Sequence, residues 1–296
     1  MYKLVAIDLD GTLLDPYGQI SQEDKKIIQE ALQKKVEIVL ATGRSIVSTM
    51  NFSKEIGAEH YFISGNGAVI YDLQNEEILY NHYLPKEKVM EIVEFCETNS
   101  MYYTVFTEST IITKSLNYNT LFYYYENRNK EEKKKTQINI VEDIPTYIKN
   151  TENLNFLKVT ICDENNSIFA RILEKVKKIK GIDVLEVSHM SRKKIKIGTE
   201  ILEIQYYYTE ITQENTNKWG AIQFLANKLN IKTEEIMTIG DNSNDTEMIK
   251  NAGLGIAMEN AAPEIKKIAD DITTSNEQNG VGQAIKRNVT EILQIN

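Results

Sequence analysis

The apolar run Leu4-Val5-Ala6-Ile7 stops abruptly at Asp8-Leu9-Asp10-Gly11-Thr12. An unbroken apolar run of this length reads as a strand buried on both faces of a parallel sheet. Acids at the carboxyl end of such a strand project into the crevice where open α/β sheets bind ligands. Asp8 and Asp10, two positions apart on an extended backbone, point the same way. Like charges that close repel unless a proton or a cation comes between them. The pair therefore calls for a metal ion, a displaced pKa, or both. The same residues also fit a solvated turn, with Gly11 supplying positive φ. Distant segments weigh between the two.

The pattern recurs along the chain. Val36 to Ala41 is a second apolar run, ending at Thr42-Gly43-Arg44, and Tyr61-Phe62-Ile63 is a third, ending at Ser64-Gly65-Asn66-Gly67. Between the first two, Ser21-Gln22-Glu23-Asp24 opens a helix as a capping box, and Ile27, Ile28, Ala31 and Leu32 give it an apolar face. A second helix spans about Ser45 to Ile56. After about Thr216 the alternation resumes. A helix carries Ile222, Leu225, Ala226 and Leu229. The strand Ile236 to Ile239 ends at Gly240-Asp241-Asn242-Ser243-Asn244-Asp245, and Leu254 to Ala257 is another. Helices follow near Ala262 to Ile268 and Gly282 to Leu293.

The stretch between differs in character. Val89, Ile92, Val93 and Cys96 mark one amphipathic helix, and Ile168, Ile172, Val176 and Ile179 another. Strand-like runs lie at 101–106, 138–141, 156–162, 184–187 and 205–211. Tyr123-Tyr124-Tyr125 and Tyr206-Tyr207-Tyr208 fit alternating burial on a strand or helix. The Lys- and Glu-rich run 127–135 fits a solvated helix end or loop. The fold class this predicts is α/β, with a doubly wound, Rossmann-like parallel sheet built from residues 1–82 and 214–296. An inserted α+β domain over 83–213 interrupts it.

Composition narrows the partners. Lys and Arg number 34 against 43 Asp and Glu, a net charge of −9. That excess argues against general nucleic-acid or membrane-surface binding. It leaves room for a local cation site that takes a phosphorylated substrate. Cys96 and Cys162, far apart in sequence, argue for a reducing compartment over a disulfide framework. No leader-like start and no apolar run near about 18 residues is present. The expectation is a cytoplasmic protein, a monomer or weak homo-oligomer.

Polar clusters fall at the carboxyl ends of the expected strands: Asp8 with Asp10, Thr42, Asn66, and Asp241 with Asn244 and Asp245. Lys218 sits near the start of the helix that follows the insertion. Acids from two distant strands make an all-oxygen site for a hard cation, suiting Mg²⁺ and not zinc. His60, His82 and His189 lack ligand spacing and read as surface or structural residues. A hydroxyl, a lysine and a divalent cation beside a carboxylate describe phosphoryl transfer. Single positions keep alternatives. Thr42 also fits a helix N-cap, Asn66 and Asn244 also fit turns, and Lys218 also fits a surface lysine. Gly65-Asn66-Gly67 lacks the third glycine of a dinucleotide fingerprint.

In this order and spacing the motifs resemble those of the haloacid dehalogenase (HAD) superfamily, and within it the Cof-like phosphatases with a large α/β cap. The resemblance covers nearly the whole chain. Asp8-Leu9-Asp10-Gly11-Thr12 is similar to the first family motif and Thr42-Gly43-Arg44 to the second. Lys218 is similar to the third motif and Gly240-Asp241-Asn242-Ser243-Asn244-Asp245 to the fourth. Asn66-Gly67-Ala68, the run from Gly255 to Ala261, and Asn279-Gly280-Val281 match further Cof-like signatures. Trp219 stands where the family often has glycine, with Gly220 one position later.

The resemblance implies a Mg²⁺-dependent phosphatase. It would hydrolyse a small phosphorylated metabolite, a sugar phosphate or a cofactor phosphate, through an aspartyl-phosphate intermediate. Asp8 would be the nucleophile. Asp10 would protonate the leaving alcohol and then activate water, carrying the proton while Asp8 stays ionised. Asp8, the Asp10 backbone carbonyl and Asp241 would hold Mg²⁺, with Asp245 a direct or an orienting partner. Thr42 would hydrogen-bond a phosphoryl oxygen, and Lys218 would neutralise charge on Asp8 and the phosphoryl group. Backbone N–H groups near Leu9 and Gly43 would add donors. Asn66, Asn244 and Arg44 would contact substrate or phosphate, although pairing with an acid fits Arg44 as well. The insertion would be the cap, closing over the site and reading the rest of the substrate. The rivals are a phosphomutase of the same fold, a non-enzymatic phospho-accepting signalling domain and a catalytically silent binding protein. The large insertion and Asp10 weigh against the signalling domain.

Overall fold

A computed structural model describes residues 2–128, 130–185, 190–197 and 200–291. His189, the end of the strand expected over 184–187 and the last residues of the helix expected to reach Leu293 lie outside the described residues. The chain groups into two compact units. One comprises Met1–Arg44, Thr49–Asn81 and Asn217–Asn296; the other comprises Ser45–Ser48 and His82–Thr216.

The first unit begins with β1 (Leu4–Ile7), α1 (Gln22–Gln33), β2 (Glu37–Ala41), α2 (Ile46–Ile56), β3 (Tyr61–Ser64), β4 (Val69–Asp72) and β5 (Glu77–Asn81). All four residues of β1 are fully buried, as an unbroken apolar run requires. Ser21 caps α1, its hydroxyl accepting from the Asp24 N–H at 2.9 Å. The β4–β5 hairpin extends the sheet antiparallel to β3. No apolar run announced β5, because its residues are half-buried or exposed.

The second unit carries α3 (Lys86–Thr98), β6 (Tyr102–Thr107), β7 (Thr110–Thr113), α4 (Tyr118–Asn127), β8 (Gln137–Ile140) and α5 (Ile144–Asn150). It continues with β9 (Phe156–Asp163), α6 (Asn166–Val176), β10 (Ile182–Val184), β11 (Ser191–Ile197) and β12 (Glu200–Gln213). Its sheet runs β10-β12-β9-β6-β7-β8, with β11 paired to β12. Val89, Ile92, Val93 and Cys96 from α3, and Ile172 and Val176 from α6, bury against Val105, Val159, Ile161 and Ile211 of that sheet. In α4 Tyr123 is buried and Tyr124 exposed, which is the alternation expected of packing residues. Cys96 and Cys162 are buried free thiols.

The chain returns to the first unit with α7 (Lys218–Lys228), β13 (Ile236–Gly240), α8 (Thr246–Asn251), β14 (Leu254–Ala257), α9 (Pro263–Ile268), β15 (Asp271–Ile272) and α10 (Gly280–Ile285). The strand order is β15-β14-β13-β1-β2-β3-β4-β5, with parallel pairing from β15 through β3. This is the doubly wound α/β sheet. From β1 the chain proceeds outward through β2 and β3, then returns to β13 on the other flank of β1. The order reverses there, and a crevice opens at the carboxyl ends of β1 and β13. The register Ile7↔Ile239 and Ile7↔Leu40 brings the ends of three strands level. Buried Asp24 ties α10 to α1 by accepting from the Gly282 N–H at 2.6 Å. Among the described residues, no helix is long and apolar enough to cross a membrane.

Candidate active site

The first residue beyond β1 is Asp8, 4% exposed. Its neighbours come from the turn after β13 and from the start of α7. Lys218 is the first residue of α7, whose N-cap is Asn217; the Asn217 side chain accepts from the Gly220 N–H at 2.9 Å. Trp219 therefore sits in an ordinary first helical turn, and the glycine displaced by one position serves the cap. Gly67, with φ +101°, allows this close approach, because a Cβ there would lie 2.2 Å from the Asn217 carbonyl oxygen.

The Lys218 ammonium is wholly buried. It donates to Asp8 Oδ1 at 2.5 Å and to Asp245 Oδ1 at 2.6 Å. The second oxygen of Asp245 accepts from the N–H groups of Asp241 and Asn242 at 2.9 and 3.1 Å. Asp241 accepts from the Thr12 hydroxyl at 2.9 Å. Carboxylate oxygens of Asp8, Asp241 and Asp245 lie within 4.8 Å of one another. At such separations each pair of like charges repels by about 4 kcal/mol at an effective dielectric near 20. One ammonium cannot offset three carboxylates. The excess appears in the proton affinities. Burial pushes the Asp8 carboxyl up to about 7, against the pull of Lys218 and with the charge of Asp245 adding to the rise. Burial, then the charges of Asp8 and Asp245, push Asp241 well up. Burial works against the charge on Lys218, but Asp245 and Asp8 outweigh it and hold the ammonium above its ordinary value.

Asp10 is placed differently. Arg44 grips it with Nε on Oδ2 at 2.7 Å and Nη2 on Oδ1 at 3.0 Å. Of the two roles open to Arg44 on sequence, the structure shows the pairing with an acid. Asp10 stands in ion-pair geometry with Arg44, whereas Asp8 lies against the Lys218 ammonium.

Thr42 is buried, and its hydroxyl accepts from the Arg44 N–H at 3.2 Å. Thr42 does not cap α2; the Ser45 hydroxyl accepts from the Ser48 N–H there. Gly43 continues the same turn, and the Leu9 side chain enters the core. Asn66, at φ 60°, accepts from the Asn244 amide at 3.1 Å. His60 pairs with Glu37, and His82 meets Thr216.

Three further residues brace the site. Thr12 holds Asp241, and its hydroxyl two positions after Asp10 was the available signal. Asn260 donates to the Gly11 carbonyl at 2.7 Å and accepts from the Asn276 N–H at 3.0 Å. Asn276 donates to the Leu14 carbonyl at 2.7 Å. Asn260 lies in the Gly255–Ala261 motif, but Asn276 carried no signal, since its contact is made 262 residues away.

A doubly wound sheet with a buried lysine-bridged acidic cluster at its switch point places the chain among α/β proteins that bind their ligands at the carboxyl ends of the strands. The chain belongs to the haloacid dehalogenase-like hydrolases, whose family model matches residues 5–285. It is 31% identical to phosphatase YwpJ of Bacillus subtilis, over 96% of this chain and 99% of that one. It is 29% identical to the 5-amino-6-(5-phospho-D-ribitylamino)uracil phosphatase YcsE of the same bacterium, over 96% and 94% of the two chains. A solved haloacid dehalogenase-like hydrolase from B. subtilis matches with a TM-score of 0.80 at 25% identity, over 97% and 99% of the two chains.

Proposed function

We propose that this hydrolase is a Mg²⁺-dependent phosphatase that cleaves a small phosphorylated metabolite through an aspartyl phosphate. The observation that carries the reading is the Lys218 ammonium bridging Asp8 and Asp245 beside Asp241. The donor set is all oxygen and over-supplied with negative charge, which fits a hard divalent cation. Asp8, the Asp10 backbone carbonyl and Asp241 would hold it. Asp245 fits an orienting role, because both of its oxygens are already engaged. Bound there, Mg²⁺ supplies positive charge that offsets the carboxylates and the phosphoryl oxygens.

The chain's own groups divide the chemistry. Asp8 attacks phosphorus through the oxygen that Lys218 does not bind, and the bond to the leaving oxygen breaks. Asp10 delivers a proton to that oxygen, so an alcohol departs. Asp10 then takes a proton from water as the water oxygen bonds to phosphorus, the bond to Asp8 breaks, and inorganic phosphate leaves. Lys218 stays protonated and steadies Asp8 in its carboxylate form. The Thr42 hydroxyl, with backbone N–H groups near Leu9 and Gly43, serves as donor to the phosphoryl oxygens. The free thiols fit a reducing, cytoplasmic setting.

Hydrolysis of p-nitrophenyl phosphate tests the reading. EDTA should abolish turnover and Mg²⁺ should restore it. Independently of activity, Mg²⁺ at about a hundred times its Kd should stabilise the fold by about 2.7 kcal/mol, read as a higher thermal midpoint. Undiminished turnover after EDTA would remove the metal from the proposal. A screen of phosphorylated metabolites then identifies the substrate.

Gly11 gives a second test. At φ +87° it lies so close that a Cβ would come within 2.4 Å of Asp241 Oδ2. Gly11→Ala should displace Asp241 and weaken Mg²⁺ binding by about 10- to 100-fold, the range seen when a ligand's support is lost. A calorimetric titration unchanged from the parent protein would contradict this.

A further inference from the structure

Both oxygens of the Asp10 carboxylate are held in one fork by Arg44, the geometry in which a guanidinium fixes the plane of a carboxylate as well as its distance. Arg44 is itself immobilised. It is 3% exposed, and its guanidinium lies 5.1 Å from the centre of the Phe52 ring. Its carbonyl accepts from the Ser64 hydroxyl at 2.6 Å and from the Gly65 N–H at 3.2 Å. Asp10 differs. Its side chain is 35% exposed, and the residue after it takes positive φ.

We propose that Arg44 is a positioning residue for Asp10, aiming its carboxyl at the leaving-group oxygen, and that binding the phosphoryl group is not its task. The inference rests on the phosphatase reading above. In the step concerned, the bond from Asp8 to phosphorus forms, the bond to the leaving oxygen breaks, and the Asp10 proton passes to that oxygen. Asp10 can carry that proton on one oxygen by releasing one arm of the fork, while the other arm keeps the carboxyl in place. A general acid must stay within hydrogen-bond reach of the atom it protonates. Misplacement by about 1 Å can cost on the order of a hundredfold in rate.

The test compares phenyl phosphate with p-nitrophenyl phosphate, which share a shape but not a need for a proton on leaving. Arg44→Lys keeps the charge and loses the fork. It should lower kcat/KM, which reports formation of the aspartyl phosphate and not its later hydrolysis, by about a hundredfold for phenyl phosphate and by less than about fivefold for p-nitrophenyl phosphate. Asp10→Asn should show the same dependence on leaving group, and Arg44→Lys should add little in the Asp10→Asn background. Phe52→Leu removes the ring beside the guanidinium and leaves Arg44 itself unchanged. It should give the same pattern at smaller size, and it decides the matter if Arg44→Lys fails to fold. Equal losses on both substrates with a raised KM would assign Arg44 to the phosphoryl group and overturn the inference, as would no loss at all. A parent protein that hydrolyses neither substrate would overturn the phosphatase reading, and the inference with it.

Discussion

Asp8→Asn is expected to lower kcat for p-nitrophenyl phosphate by at least about a hundredfold, because an amide oxygen is a poor nucleophile and no covalent intermediate forms. The substitution is isosteric and leaves an acceptor for the Lys218 ammonium, which donates to Asp8 Oδ1. It also removes one of three carboxylates that crowd within 4.8 Å. The fold should therefore survive, with a thermal midpoint equal to or above that of the parent protein. That combination separates lost chemistry from lost structure. Mass spectrometry of acid-quenched reactions gives a second readout. A phosphoryl adduct should appear on the parent protein and be absent from the variant. Full activity in Asp8→Asn would end the covalent mechanism.

The other large effect is on stability. Lys218→Met should cost about 3–5 kcal/mol in urea unfolding, the range found when one partner of a buried ion pair is removed. The side chains of Lys218 and Asp245 are fully buried and that of Asp8 is 6% exposed, so water cannot replace the lost ammonium. A methionine fills similar space, which keeps the cavity contribution small. Protons offer partial relief, since burial already pushes Asp8 up to about 7 and Asp241 well up. Asp8→Asn introduced into the Lys218→Met background should recover part of the loss by removing one stranded charge. A loss under about 1 kcal/mol would mean that the cluster is not held by its lysine and would undercut the electrostatic account of the site.

The readable parts of the fold were those buried on both faces. β1, β2, β3, β13 and β14 show as largely apolar runs because no solvent face imposes alternation. β12 extends over Glu200–Gln213, well beyond the apolar stretch near its end; its first four residues are exposed, and its first half pairs with β11. α4 lacked a helical stripe, since only Thr120 and Tyr123 along it are buried. The site was legible to the same degree. Asp8, Asp241 and Lys218 stand at strand or helix ends, where a change from apolar to polar residues marks the boundary.

Local patterning by itself therefore determined the doubly wound class, the strand ends and the identity of the residues that stand there. Those are short-range consequences of burial and backbone geometry. Only the tertiary structure decided which groups meet. Asp10 meets Arg44 across 34 residues, Asp8 meets Lys218 across 210, and Thr12 meets Asp241 across 229. Such partners depend on strand order and register, which place β13 beside β1 and bring their carboxyl ends level. The two crowded aspartates of the opening motif are consequently held by different cations. Asp8 lies against a buried lysine, and Asp10 lies in an arginine fork.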